Sequence, residues 1–129
     1  MKRRQTTVKP LVVKAPKLYW PVRSEHISLV CQTIAEKFRP DKIVLFGSQA
    51  YGQPHDESDI DLLVIMPFDG SPFHQAGIIL NYLVGKVGVL PLDLLARTKE
   101  QVQERLDIND RFMREIIGRG RVLYEADHT

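Results

Sequence analysis

Two short apolar runs joined by a polar segment constrain this chain most. Ile43-Val44-Leu45-Phe46 ends on Gly47-Ser48, and Asp59-Ile60-Asp61 opens the second run, Leu62-Leu63-Val64-Ile65. Short apolar runs bounded by turn residues read as strands. Side chains alternate along a strand, so Asp59 and Asp61 point one way and Ile60, Leu62 and Val64 the other. Leu63 and Ile65 continue the aspartate side, which is therefore polar at its start and apolar beyond.

Two like charges at the entry of a strand repel and lose hydration, and a cation between them relieves both. A small set of hard oxygen ligands suits Mg²⁺, which keeps waters and takes further ligands from phosphates. Taken alone, an Asp-x-Asp pair is better read as two solvated acids at a loop-strand junction. The Gly47-Ser48 turn shifts that reading. Glycine lets backbone approach a phosphate closely and accepts positive φ, and the serine hydroxyl and nearby N–H groups can donate to phosphate oxygens. The joint pattern therefore points to metal-assisted chemistry on a nucleoside triphosphate.

The spacing of Gly47-Ser48 and Asp59-x-Asp61, within Leu45-Phe46-Gly47-Ser48 and Ser58-Asp59-Ile60-Asp61-Leu62-Leu63-Val64, resembles the minimal nucleotidyltransferases of the DNA polymerase β superfamily. The resemblance spans roughly residues 25 to 125. It implies an α/β (α+β) fold with a polymerase-β-type core, a short mixed sheet and flanking helices. It also implies Mg²⁺ and a nucleoside triphosphate donor, ATP by default. Tyr51 departs from the pattern, which often has Arg there, while Gly52 keeps the turn. The family uses a third carboxylate on a later strand, and the candidate is Asp93 in Val89-Leu90-Pro91-Leu92-Asp93-Leu94-Leu95-Ala96. An acid in so apolar a run needs a partner or a metal if buried; the alternative is an edge-strand aspartate facing water, which Pro91 suits.

The resemblance further implies that Asp59 and Asp61 hold two Mg²⁺ ions and that Asp93 completes the site and serves as base. Gly47 and Ser48 would hold the nucleotide's β and γ phosphates. An acceptor hydroxyl would attack the α phosphate and pyrophosphate would leave. Antibiotic-modifying relatives add a helical domain to grip the acceptor, whereas this chain ends at Thr129. The expected acceptor is therefore a tyrosine on a separate helical toxin of the HEPN kind, with this chain as its antitoxin. A non-catalytic antitoxin acting by binding, or an aminoglycoside-type nucleotidyltransferase, is the alternative.

Composition fits one domain. The 129 residues are 43% apolar and 26% charged, and 18 basic against 16 acidic residues leave a net charge of +2, too small to argue for nucleic acid. The one cysteine, Cys31, excludes an intrachain disulfide and fits a reducing cytoplasm. No apolar run approaches the length of a membrane span, and Lys2-Arg3-Arg4 is not followed by a signal-peptide core. Residues 1–20 read as a basic, proline-containing tail in which Leu11-Val12-Val13 could form a strand and Leu18-Tyr19-Trp20 an anchor. The catalytic domain is expected over 21–125, with 126–129 as a C-terminal tail.

Within the domain, Ser24 is expected to cap a helix carrying Ile27, Val30, Cys31, Ile34 and Phe38 on one face and stopping at Arg39-Pro40. Strands follow at 42–46 and 59–66. Ser71-Pro72 starts a helix whose inner face is read as Phe73, Gly77, Leu80 and Val84. A third strand covers about 89–96, and Thr98 with Gln101 forms a capping box for a helix burying Val102 and Leu106. Asn109 or Asp110 caps a last helix bearing Phe112, Met113, Ile116 and Ile117 and stopping at Gly118, before a strand at 121–124. Arg111, Arg114, Arg119 and Arg121 read first as a solvated face, with phosphate or an acidic partner as the alternative. His55 and His74 read as surface residues.

Overall fold

The computed structural model describes residues 22, 24–51 and 59–127. The expected N-terminal tail and the readings of Gly52, Pro54, His55 and Ser58 lie outside the described residues. In chain order the elements are α1 (Ser24–Phe38), β1 (Lys42–Phe46), α2 (Ser48–Tyr51), β2 (Ile60–Ile65), α3 (Pro72–Val87), β3 (Leu92–Arg97), α4 (Lys99–Asp107), α5 (Arg111–Arg119) and β4 (Arg121–Glu125). The strands form one mixed sheet in the order β3-β2-β1-β4. β1 runs antiparallel to both β2 and β4, and β2 runs parallel to β3.

Alternation divides the core between the two sheet faces. Ile43, Leu45, Ile60, Leu62, Val64, Leu94 and Ala96 face α1 and α3, where they meet Ile27, Val30, Ile34, Ile79 and Leu83. Val44, Phe46, Leu63 and Ile65 face the other way, onto Val102, Met113 and Ile116 of α4 and α5. The central strands are thus buried on both faces, which explains why β1 and β2 read as continuous apolar runs. Register follows from the same division. A slip of one residue between β2 and β3 would carry Leu62, Val64, Leu94 and Ala96 onto the wrong face.

The observed capping agrees with the sequence at α4, where Thr98 accepts from the Gln101 N–H at 3.1 Å and Gln101 Oε1 accepts from the Thr98 N–H at 3.0 Å. Asp110 caps α5, accepting from the N–H of Phe112 at 3.0 Å. Asn109 takes positive φ between the two helices. Pro72 occupies the first turn of α3, and Ser71 accepts from the His74 N–H.

Several expectations fail. The inner face of α3 is Gln75, Ala76, Ile79, Leu83 and Val87, with Leu80 partly buried against the same core as expected; Phe73 and Val84, also expected there, are 89% and 52% exposed, and Gly77 is exposed. Helix α5 also runs past Gly118 to Arg119 and ends at Gly120, whose N–H donates to Ile116 O at 2.8 Å. A Cβ at Gly118 meets open space, whereas one at Gly120 would overlap Ile116 O and crowd Val44 at 2.6 Å. Gly120 is the glycine that lets the α5–β4 turn close onto β1. Helix α1 begins on Ser24 itself, and β3 starts three residues later than expected, at Leu92. Among the described residues no helix is long and apolar enough to cross a membrane.

Candidate active site

The site assembles where β1 ends and where β2 and β3 begin. Phe46 is the last residue of β1 and pairs with Asp61 of β2, and Asp61 pairs with Asp93 of β3. Residues directly opposite one another in a sheet share a face, so both carboxylates project on the α5 side beside Phe46. Backbone bonds fix this parallel pairing at both ends, Ile60 N–H to Pro91 O at 2.8 Å and Met66 N–H to Arg97 O at 3.0 Å. Gly47 follows with φ 74°, and Ala50 and Tyr51 both donate to its carbonyl at 3.0 Å, closing the short helix α2 that carries Ser48.

Gly47 has a second reason to lack a side chain. A Cβ there would overlap the Asp61 carboxylate, so the turn and the acid are packed together. Gly47, Ser48, Asp61 and Asp93 line one cleft of about 680 Å³ with Phe46, Tyr51, Leu94, Leu95, Phe112 and Glu115. That volume is of the size that holds a nucleotide-like ligand. A smaller groove of about 450 Å³ lies between α1 and β4 and holds none of the candidate carboxylates and neither Gly47 nor Ser48.

Asp61 is the most perturbed acid of the cleft. Burial pushes its carboxyl up from 3.8, and the negative charges of Asp93 and Asp59 push it further. A hydrogen bond in which protonated Asp61 donates to Asp93 adds to the shift, bringing it to about 6. Asp59 and Asp93 are both exposed. Asp93 thus sits on an edge strand and keeps solvent contact, so the apolar run around it does not bury it; it is partnered through Asp61.

The donor chemistry fits a hard divalent cation. The groups that crowd Asp61 are carboxylates, and a cation beside them would offset the repulsion that, together with burial, pushes the Asp61 carboxyl up. Among the described residues no three carboxylate, imidazole or thiolate groups close around a metal by themselves. A pair of carboxylates that leaves positions for water and phosphate is the arrangement Mg²⁺ favours.

Phe112 and Glu115 line the cleft without being among the expected site residues, and Arg119, expected first on a solvated face, lies beside them. Phe112 was expected in the apolar core; it is 53% exposed at the cleft wall, its ring edge-on to Phe46 at 5.8 Å between centroids. Glu115 lies one turn further along α5 on the same face. Arg119 lies one turn beyond that, with Nη1 3.1 Å from Glu115 Oε2 and its guanidinium carbon 4.4 Å from the Tyr51 ring centroid. The spacing of Phe112, Glu115 and Arg119 was the available signal, and it was masked by the apolar stripe that shares the helix. Cys31 is buried in the core, and burial pushes its thiol up, away from a reactive thiolate.

Residues 27–122 match the family described as Nucleotidyltransferase domain. A protein of Methanocaldococcus jannaschii named "Putative protein adenylyltransferase" is 36% identical over 86 residues, covering 67% of this chain and 80% of that protein. The crystal structure of a "putative nucleotidyltransferase" from Sulfolobus solfataricus shares the fold, with a TM-score of 0.56 at 15% identity over 81% of each chain.

Proposed function

Because the chain belongs to the nucleotidyltransferase family, we propose that it transfers AMP from ATP to a protein hydroxyl, a tyrosine of a HEPN-type toxin, and so serves as the antitoxin of that pair. The observation that carries the chemistry is the parallel pairing of Asp61 with Asp93 beside the Gly47-Ser48 turn. A protein acceptor is favoured by the relative named for protein adenylyl transfer. The toxin partner and the tyrosine rest on the family resemblance.

In this reading Asp61 and Asp93, with Asp59 at the strand entry, would hold Mg²⁺, which when bound would supply charge neutralisation in an in-line displacement. Ser48 donates its hydroxyl to the triphosphate, and Gly47 lets the backbone approach it. Asp93, exposed at the edge strand, accepts the proton of the attacking hydroxyl. The acceptor oxygen bonds to the α phosphorus, the bond to the β-phosphate oxygen breaks, and pyrophosphate leaves with that electron pair. Phe46, Leu95 and Phe112 give the cleft an apolar wall beside the carboxylates.

The test is to incubate the chain with ATP, Mg²⁺ and the HEPN-type protein encoded beside it, then to map the product by peptide mass spectrometry. AMP on a partner tyrosine, absent with Asp61→Asn, is the expected result. Neutralisation of the partner that persists in Asp61→Asn without any AMP adduct would replace catalysis by binding.

A further inference from the structure

The cleft has an electrostatic imbalance. Asp61, Asp93 and Glu115 line it and Asp59 lies within electrostatic reach of Asp61, while the described lining residues include no Lys, Arg or His. Asp61 and Asp93 gather where β2 and β3 begin, while Glu115 lies on α5. A triphosphate adds several more negative charges, which a basic group on the α5 side would offset.

Arg119 stands there. It bonds Glu115 and lies over Tyr51, so it touches a lining residue on α5 and another on α2. Tyr51 is three residues beyond Ser48 on that same turn, which places the guanidinium on the phosphate-binding element itself. At 4.4 Å from the ring centroid, the guanidinium carbon is within cation–π distance of Tyr51. Its ion pair is made through Nη1, and a guanidinium has five N–H donors, so further donors remain for an anion. Both members of the ion pair are about half exposed, 57% for Arg119 and 45% for Glu115, and such surface pairs contribute little to stability. The pair is therefore easily opened.

We infer that Arg119 binds the polyphosphate tail of the nucleotide, exchanging Glu115 for phosphate oxygens, with Tyr51 as its platform and Glu115 as the competitor that holds it in the empty cleft. The inference rests on the reading of ATP as donor. It predicts that the two members of one ion pair act on binding in opposite directions. A pair kept only for structure would give losses of the same sign.

Calorimetric titration of ATP and of AMP, each with Mg²⁺, into the full chain tests this. Arg119→Met should weaken ATP roughly tenfold, the loss of one charge-assisted hydrogen-bonding group, while AMP changes less than about twofold. Glu115→Gln should tighten ATP roughly threefold by freeing the guanidinium, and that gain should vanish in the double variant with Arg119→Met. Glu115→Gln and Arg119→Lys keep the question answerable if Arg119→Met folds poorly. ATP and AMP weakened alike by Arg119→Met, or ATP weakened by Glu115→Gln, would overturn the inference. A wild-type chain that binds neither nucleotide would overturn the donor reading, and this inference with it.

Discussion

Asp61 concentrates the chemistry of the cleft in one side chain, and its environment has a measurable cost. Its carboxyl sits at about 6 when folded, against 3.8 when unfolded. Below the unfolded value both states keep the proton and no penalty arises. As pH rises from there through about 6, the unfolded chain releases its proton first, so folding stability falls across that window and stays lower above it. In chelator, the wild-type chain should therefore melt at a lower temperature at pH 7.5 than at pH 5. Asp61→Asn should flatten that dependence and melt higher than wild type at pH 7.5; equal pH profiles for the two proteins would contradict the assignment. Gly47 is tied to the same group. With φ at 74° and the Asp61 carboxylate against its Cα, Gly47→Ala should destabilise by about 1–3 kcal/mol and displace the acid. A denaturant titration and a nucleotide-transfer assay on that variant should fall together.

At the level of elements, the amphipathic patterns show where a sequence speaks clearly and where it does not. Helix α1 has one apolar stripe, and Ile27, Val30, Cys31 and Ile34 are buried as that stripe requires. Helix α3 has two stripes at helical spacing, one through Ala76, Ile79, Leu83 and Val87 and one through Phe73, Gly77, Leu80 and Val84. Periodicity alone cannot rank them; the sheet face and α1, which pack against the first stripe, make the choice. Ile79→Ala should cost about 2–5 kcal/mol, whereas Phe73→Ser should change stability by less than about 0.5 kcal/mol. Chemical denaturation of the pair checks the orientation of the helix. The end of α5 differs from the expected stop for a related reason. Both Gly118 and Gly120 are plausible stops in the sequence, and only the approach of Ile116 O, Val44 and Leu45 O distinguishes them. Gly120→Ala should cost about 1–3 kcal/mol by overpacking, and Gly118→Ala should cost nothing or stabilise slightly by helix propensity.

Across the whole molecule, the site is the product of a parallel crossover. β2 and β3 are separated in sequence by α3, yet they pair residue for residue so that Asp61 faces Asp93. The strands, the Gly47-Ser48 turn and the carboxylates were each legible, because alternation and turn chemistry are local. Which acids meet was not derivable from spacing, since a long-range register decides it, and the contribution of α5 to the cleft through Phe112 and Glu115 depends on how that helix lies over the sheet. If these paired acids drive nucleotidyl transfer, ATP labelled at the α phosphate and ATP labelled at the γ phosphate must behave differently. Label from the α position, and none from the γ position, should reach the acceptor protein, and Asp61→Asn with Asp93→Asn should abolish it. Transfer of the γ label, or α-label transfer that survives loss of both acids, would contradict the account.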